Sequence, residues 1–147
     1  MVQLDKWEEF KFLDVAILER AKKGKVYKAG TLRIQLSATK GQVYYNFEDG
    51  AIDSKFGVIT PAEWVDGKYL FYILEKFLPP FLTTYQTGIN INPKIFKWLK
   101  LKLHTEKETQ LTIVRIMDEL QTMIDLLEDD LDTDEVIKKH YLNGMMC

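Results

Sequence analysis

The sequence LRIQLSATKGQVYYNF, residues 32–47, holds two short stretches of β-strand character on either side of a glycine-containing turn. In the first stretch, Leu32, Ile34 and Leu36 alternate with polar side chains. A period of two places every second side chain on the same face, which indicates a half-buried strand. Residues 43–47 are rich in aromatic side chains and supply the partner strand. We therefore predict a β-hairpin with its turn at residues 38–41.

The segments that follow alternate between strand and helix patterns. Residues 56–60 form a short apolar run, which predicts another strand. Residues 69–77 carry apolar side chains at helical spacing, and Pro79-Pro80 should end that helix because proline cannot donate the helical hydrogen bond. Residues 87–93 are polar and proline-stopped, which predicts a loop, and residues 95–103 alternate again. This mixture indicates an α+β domain with mixed α/β structure.

The C-terminal part has a different, helical pattern. Its apolar residues recur at intervals of 4, 3, 4, 3 and 4, which is the spacing of a coiled coil. This apolar seam consists of Ile113, Met117, Leu120, Ile124, Leu127 and Leu131. A second row (Ile116, Met123 and Leu126) widens the apolar face.

We divide the chain at residue 104. The α+β domain spans residues 1–104, and a long helix of the coiled-coil type spans residues 105–147, with a break and a fresh N-cap near Asp132 and Thr133. The seam favours pairing with another helix. The alternative is an amphipathic helix that packs against its own domain.

The charge is distributed unevenly along the chain. The net charge is −2, but residues 1–103 carry 16 Lys and Arg against 11 Asp and Glu, whereas residues 104–147 carry 4 against 11. Between Arg20 and Phe47 there are seven basic residues and no acidic one. Such a stretch suits a phosphate-binding surface, although a solvated lysine-rich loop has the same composition.

The sequence contains no motif that is typical of a catalytic or metal-binding site. His104 and His140 lie far apart, so each is assigned to the surface or to a cap, and no glycine-rich phosphate loop occurs. Leu78-Pro79-Pro80-Phe81 lacks the Asn or Asp with which adenine methyltransferases hold a flipped base. We predict a binding module that is not an enzyme, with no metal and no cofactor.

The compartment is predicted to be the cytoplasm. The single cysteine, Cys147, excludes an internal disulfide, and residues 1–10 do not resemble a signal peptide. No apolar run approaches the roughly 18 residues of a membrane span.

The order of these segments resembles that of the specificity subunits of type I restriction–modification systems, over nearly the whole chain. The matching pieces are KWEEFKF (6–12), YKAGTLRI (27–34), QLSATKGQ (35–42), FGVITP (56–61), Asp66 with YLFYIL (69–74), YQTGININ (85–92), ETQ (108–110) with Ile113-Val114, and KKHYLNGMM (138–146). Leu103-His104-Thr105 stands where the family usually has Pro-Pro-Leu, so the helix start is set differently here.

The resemblance implies a division of labour. In this family a target-recognition domain reads one half of a split DNA target, helices fix the distance between the halves, and separate modification subunits hold S-adenosylmethionine. The family usually carries two recognition domains and two helices, whereas this sequence holds one of each. The resemblance therefore implies a half subunit that pairs with itself or with a second, different half. It would contact double-stranded DNA and the methyltransferase subunits, and it would direct a restriction subunit where one is present.

Two groups of residues are the candidate DNA contacts. Basic side chains that can neutralise phosphates are Arg20, Lys22, Lys23, Lys25 and Lys28. Side chains that can pair with base edges are Gln35, Ser37, Thr39, Lys40 and Gln42 in the hairpin, and Gln86, Thr87, Asn90 and Asn92 in the later loop. For Gln35 the alternative is a strand residue that faces solvent, and for Asn92 it is a helix cap or a turn former.

Two other functions fit the same sequence. One is an anti-restriction or regulatory protein that imitates the specificity subunit and competes for the modification subunits. The other is an adaptor that dimerises through its helix and binds no nucleic acid. Charge reversal of the basic loop distinguishes them, because only a DNA reader depends on those lysines.

Overall fold

A four-stranded antiparallel sheet forms the centre of the structure, a computed structural model that describes residues 2–37 and 39–127. In chain order the elements are β1 (Glu8–Lys11), α1 (Phe12–Val15), β2 (Ala16–Arg20), β3 (Val26–Tyr27), β4 (Leu32–Gln35), β5 (Val43–Tyr45), β6 (Gly50–Ala51), β7 (Phe56–Pro61), α2 (Gly67–Tyr85), a 3₁₀ helix (Pro93–Trp98), β8 (Lys100–Leu103) and α3 (Lys107–Leu126). The central sheet has the strand order β2-β7-β4-β5.

The β4–β5 hairpin confirms the strand pair predicted from the alternating sequence. Leu32 lies opposite Tyr45 in this pair and opposite Ile59 on the other side, in β7. Leu32 and Ile34 are fully buried, whereas Arg33 and Gln35 between them are partly exposed. The period-two pattern therefore gives the sheet one face that packs into the main core and one partly exposed face, on which Val58 is buried in a second, smaller apolar cluster.

α2 packs on the core face of the sheet and is longer than its sequence predicted. It begins after Asp66, whose carboxylate accepts a hydrogen bond from the backbone N–H of Tyr69 at 3.0 Å. The prediction that Pro79-Pro80 ends this helix is wrong, because the helix continues to Tyr85. Each proline removes one backbone donor, but Leu78 and Leu82 on either side are buried in the core. We attribute the continuation to that burial.

Two short ribbons complete the sheet structure. β1 pairs with β8 in antiparallel register, Glu8 opposite Leu103, so the N-terminal segment lies beside the strand that precedes α3. β3 pairs with β6, Val26 opposite Ala51. The alternating residues 95–103 thus divide into the end of the 3₁₀ helix and β8.

One hydrophobic core joins the sheet to both long helices. Its largest fully buried side chains include Tyr69, Phe12 and Phe96, and the rings of Phe12 and Phe96 lie 5.4 Å apart between centroids. The same cluster contains Leu103, Ile113 and Met117. Residues on both sides of position 104 therefore share one core.

The apolar seam lies inside the protein over most of its described length. Ile113 and Met117 are fully buried, Leu120 is 7% exposed and Ile124 is 4% exposed. This is the alternative in which the helix packs against its own domain, so these four side chains are not available to a partner helix in this structure. Leu127 is 53% exposed. Leu131 and the break near Asp132 lie outside the described residues.

A polar contact links the two long helices beside the seam. The Tyr72 hydroxyl of α2 donates a hydrogen bond to Asp118 of α3 at 2.5 Å, and the Lys68 ammonium lies 3.0 Å from the same carboxylate oxygen. Burial, followed by the hydrogen bond to Asp118, raises the pKa of Tyr72 above its usual value. The neutral phenol is therefore the stable form between the helices.

His104 is fully buried, so the assignment to the surface or a cap is wrong. Its Nε2 lies 2.8 Å from the carbonyl oxygen of Leu4, which can only accept, so Nε2 carries the proton. Its Nδ1 then accepts from the Tyr69 hydroxyl at 2.7 Å. The hydroxyl oxygen in turn accepts from the His104 backbone N–H at 2.7 Å. His104 thereby ties the N-terminal segment to α2.

A buried amide extends this network to α3. Gln110 donates from Nε2 to the carbonyl oxygen of His104 at 2.8 Å and accepts from the Asp66 backbone N–H at 2.8 Å. Asp66 is the N-cap of α2. The start of α3 is therefore fixed by side-chain amide contacts in place of the proline pair expected from the family resemblance.

Candidate nucleic-acid interface

Strands β2 and β4 end at the same edge of the central sheet, where β7 begins, and several candidate DNA-contact residues lie at this edge or in the loop that follows β4. Arg20 at the end of β2 lies opposite Gly57, and Gln35 at the end of β4 lies opposite Phe56. The loop that joins β4 to β5, called the hairpin loop below, starts from this edge. It contains the candidates Ser37, Thr39, Lys40 and Gln42.

The hairpin loop and the loop after α2 are hydrogen-bonded to each other. The Thr39 backbone N–H donates to the Ile89 carbonyl at 2.8 Å, and the Ile91 N–H donates to the Leu36 carbonyl at 2.8 Å. The Gln86 side chain adds a third link, from Nε2 to the Thr39 carbonyl at 2.9 Å. We call this unit the loop pair. Residues predicted separately from two distant parts of the sequence thus form one polar surface.

Arg20 borders the loop pair. It lines one cleft together with Gln86, Thr87, Asn90 and Asn92. Its guanidinium donates to the Ser54 carbonyl at 3.0 Å, and its side chain is otherwise exposed. One candidate phosphate contact therefore lies beside four candidate base contacts.

Several candidate reading residues also hold the loops in shape. Gln35 donates from Nε2 to the Ser37 carbonyl at 2.8 Å, and Gln42 accepts from the Tyr44 hydroxyl at 2.6 Å. The Asn92 side chain accepts from the Lys94 N–H at 3.0 Å and caps the 3₁₀ helix, as its alternative assignment proposed. Lys40, Thr87 and Asn90 are exposed on the loop pair.

Gly41 determines how closely the hairpin loop packs against α2. It has φ +85°, and a Cβ at this position would overlap the Cδ1 atom of Leu82. Its N–H donates to the Thr39 hydroxyl at 2.9 Å. A positive φ favours glycine because an L side chain is strained there.

We expect Gly41→Ala to destabilise the protein by about 1–3 kcal/mol more than Gly88→Ala, from the overlap with Leu82. Gly88 is a matched control, because it has φ +83° but a Cβ added there would meet no heavy atom within 4 Å. Both variants carry the cost of the positive φ. Urea unfolding of the two variants measures the difference, and equal free energies would contradict the close packing of the loop on α2.

The basic residues after Arg20 do not all lie together. Lys22 and Lys23 are exposed in the turn after β2. Lys25 lies 3.0 Å from Glu19, and this hydrogen bond raises the pKa of the lysine. Lys28 lies near Thr31 at the opposite end of β4, away from the loop pair.

A second basic stretch was missed in the sequence. Residues 76–105 contain five lysines and no acidic residue. Lys94 follows directly after the loop pair, and Lys94, Lys97 and Lys100 are exposed. The signal was the same as for residues 20–47, a long stretch without Asp or Glu. From this stretch, Lys94 adds a positive charge beside the loop pair.

The described part of the chain holds neither a cluster of metal-binding side chains nor a helix suited to crossing a membrane. Residues 2–37 and 39–127 contain no cluster of three or more His, Cys, Asp or Glu side chains that could hold a metal ion. Over the same residues, no helix has the length and hydropathy needed to cross a membrane.

Comparison with protein families identifies a specificity-domain family. The model described as "Type I restriction modification DNA specificity domain" matches residues 16–133. The comparison with curated proteins returned no match.

Solved structures with the same fold come from type I systems. A structure on complex assembly and conformational transition of the type I R-M system has a TM-score of 0.68 at 16% identity, over 95% of this chain and 44% of that one. The HsdS subunit from Thermoanaerobacter tengcongensis gives 0.66 at 15%, over 95% and 44%. The type I S subunit from M. genitalium gives 0.64 at 12%, over 97% and 46%. The chain thus spans less than half the length of each solved chain.

Proposed function

Because this chain belongs to the family of type I restriction modification DNA specificity domains, we propose that it is a non-catalytic unit that binds double-stranded DNA. It acts in the cytoplasm, reads one half of a split target and directs modification subunits to that site. Where a restriction subunit is present, the chain directs it to the same site. It binds no cofactor itself. The chemistry belongs to the partner subunits.

The loop pair is the observation that carries this proposal. Sequence is read through donors and acceptors that reach base edges, and such groups need a rigid support. Three hydrogen bonds of 2.8–2.9 Å join the two loops at one edge of the sheet. Lys40, Thr87 and Asn90 are exposed on this support.

The charge distribution supports the same surface. Phosphate contacts supply affinity without sequence information, and they require basic groups around the reading residues. Arg20 borders the loop pair, Lys22 and Lys23 follow it in the chain, and Lys94 lies just beyond the second loop. The acidic C-terminal part repels phosphates, which suits a contact with protein instead.

The direct test is selection of DNA by the purified full chain. The protein is incubated with duplexes that carry a randomised central stretch, and the bound DNA is sequenced. We expect one enriched motif and an affinity that falls as salt rises. A chain that associates with modification subunits yet selects no DNA would be the mimic, and a chain that only self-associates would be the adaptor.

We further propose that α3 contacts a second recognition unit through three exposed residues, here called the outer row: Met123 and Leu126 of the second apolar row, and Leu127 at the exposed end of the seam. Met123 is 57% exposed, Leu126 80% and Leu127 53%, all near the end of the described helix. Apolar side chains grouped in this way favour a protein contact. The inner seam is already used by the domain itself, so the outer row replaces it as the proposed dimer surface. The partner is a second copy or a different half.

We expect Met123→Lys with Leu126→Lys to weaken self-association at least about tenfold, because two charges must be desolvated at the contact. The matched control is Thr122→Lys, an exposed position on the same helix. Sedimentation velocity over a concentration series measures the change. Unchanged association of the double variant would exclude the outer row as the interface.

A further inference from the structure

Arg33 lies on the partly exposed face of the central sheet, beside two aromatic rings. Its guanidinium carbon is 4.9 Å from the centroid of the Tyr44 ring and 5.6 Å from that of the Phe56 ring. Tyr44 and Phe56 meet edge to face, with centroids 6.2 Å apart. A guanidinium stacked in this way keeps its charge and its planar fork while losing conformational freedom.

An amide anchor fixes the orientation of this arginine. Nη1 of Arg33 donates to Oδ1 of Asn46 at 2.6 Å, and Nδ2 of Asn46 donates to the Thr31 hydroxyl at 3.0 Å. Asn46 is itself buried. Within residues 2–37 and 39–127, no carboxylate forms an ion pair with Arg33. Within the part of the chain that the structure describes, the bond to Asn46 is the one protein hydrogen bond of the guanidinium, which leaves four of its five N–H donors without an acceptor there.

The surroundings of Arg33 favour a neutral acceptor over a phosphate. Arg33 lines a cleft of about 440 Å³ together with Glu48, Asp49 and Asp53. These carboxylates repel a phosphate, whereas the O6 and N7 atoms of guanine are uncharged acceptors. A bidentate contact from arginine to these two atoms is the commonest specific contact in the major groove.

The candidate reading residues adjoin Arg33 on the same face. Gln35 lies two positions along β4 and therefore points to the same side of the sheet. Gln42 accepts a hydrogen bond from Tyr44, the residue that stacks on Arg33. The partly exposed face next to the loop pair thus continues the proposed reading surface.

We propose that Arg33 is a specificity-determining residue that reads one guanine in the target, with Asn46 as its positioning residue. This inference rests on the proposed function. The planar fork held by Asn46, Tyr44 and Phe56 aims its free donors at a base edge, and the cleft carboxylates keep the DNA backbone away.

The test compares variants in the same selection from randomised duplexes. For Arg33→Lys, which keeps the charge but not the fork, we expect the preference for guanine at one position to fall about ten- to a hundredfold, with the rest of the motif retained. Asn46→Ala should weaken the preference at the same position. Arg115→Lys is the matched control and should keep every position, because this exposed arginine lies on α3, outside the proposed DNA surface.

Each outcome bears on one claim. A wild-type chain that selects no motif would refute the proposed function itself. If the wild type selects a motif and Arg33→Lys selects the same motif with unchanged preference at every position, the role of Arg33 is overturned. The proposed function would still stand. Uniform weakening across all sequences would also overturn it, because that is the signature of a phosphate contact or of a structural loss. Thermal unfolding of each variant verifies that the fold is intact.

Discussion

Replacing Lys22 and Lys23 together by Glu is expected to weaken the binding of duplex DNA at least roughly fiftyfold at about 0.1 M salt. Each lysine that neutralises a phosphate releases counterions, so its loss lowers the slope of log affinity against log salt by about 0.9. Both side chains are exposed in the turn after Arg20. Lys25 is left unchanged because its reversal would also place two carboxylates together at Glu19. Fluorescence anisotropy over a salt series measures both quantities.

The matched control reverses Lys107 and Arg115 on α3, which changes the net charge by the same amount. Both residues are exposed, and they lie on the helix that we assign to protein contacts. We expect a much smaller loss of affinity and an unchanged salt slope. Equal losses in the two double variants would show that only the total charge matters, and the assignment of the basic turn to the DNA surface would then be rejected.

Replacing His104 by Ala is expected to lower the free energy of unfolding by about 3–5 kcal/mol, a large part of the stability of a domain of this size. The substitution creates a cavity in the core and removes the donor to the Leu4 carbonyl and the acceptor for the Tyr69 hydroxyl, which keeps its bond from the backbone N–H of residue 104. Burial already raises the pKa of Tyr69, so the hydroxyl cannot be accommodated as a charge. Urea unfolding measures the loss.

The neighbouring Thr105 provides the control for this position. Thr105 is exposed directly after His104, so Thr105→Ala should change the stability by less than about 0.5 kcal/mol. Combining His104→Ala with Tyr69→Phe should cost less than the sum of the two single losses, since the two side chains share one hydrogen bond. A small effect of His104→Ala would mean that the N-terminal segment is not held by this network.

The inner and outer rows of α3 illustrate where sequence periodicity stops being informative. The spacing of Ile113, Met117, Leu120 and Ile124 predicts a buried stripe, and these residues are buried. The spacing does not determine which surface covers the stripe, because packing against a partner helix and packing against the chain's own domain produce the same pattern. The domain covers it, and Met123 and Leu126 of the second row are exposed.

The candidate interface shows the same division. The sequence predicts the polar and basic residue types of both loops, but only tertiary hydrogen bonds bring Thr39 beside Ile89 and separate Lys28 from Gln35. In the sequence, Arg33 was only one of the seven basic residues between Arg20 and Phe47. Its importance in our proposal comes from Asn46, Tyr44 and Phe56, which pack around it from two neighbouring strands and the segment after one of them.

The sequence by itself determined the hairpin, the strand at residues 56–60, the amphipathic nature of α3 and the uneven distribution of charge. These features depend on local periodicity and composition, because the backbone geometry of a strand or helix determines which neighbouring side chains share a face. The tertiary structure alone decided the extension of α2 through Pro79-Pro80, the burial of His104 and the partner of the apolar seam. Each of these depends on burial and hydrogen bonds between distant residues, whose free energies outweigh local propensity and leave no pattern in the neighbouring sequence.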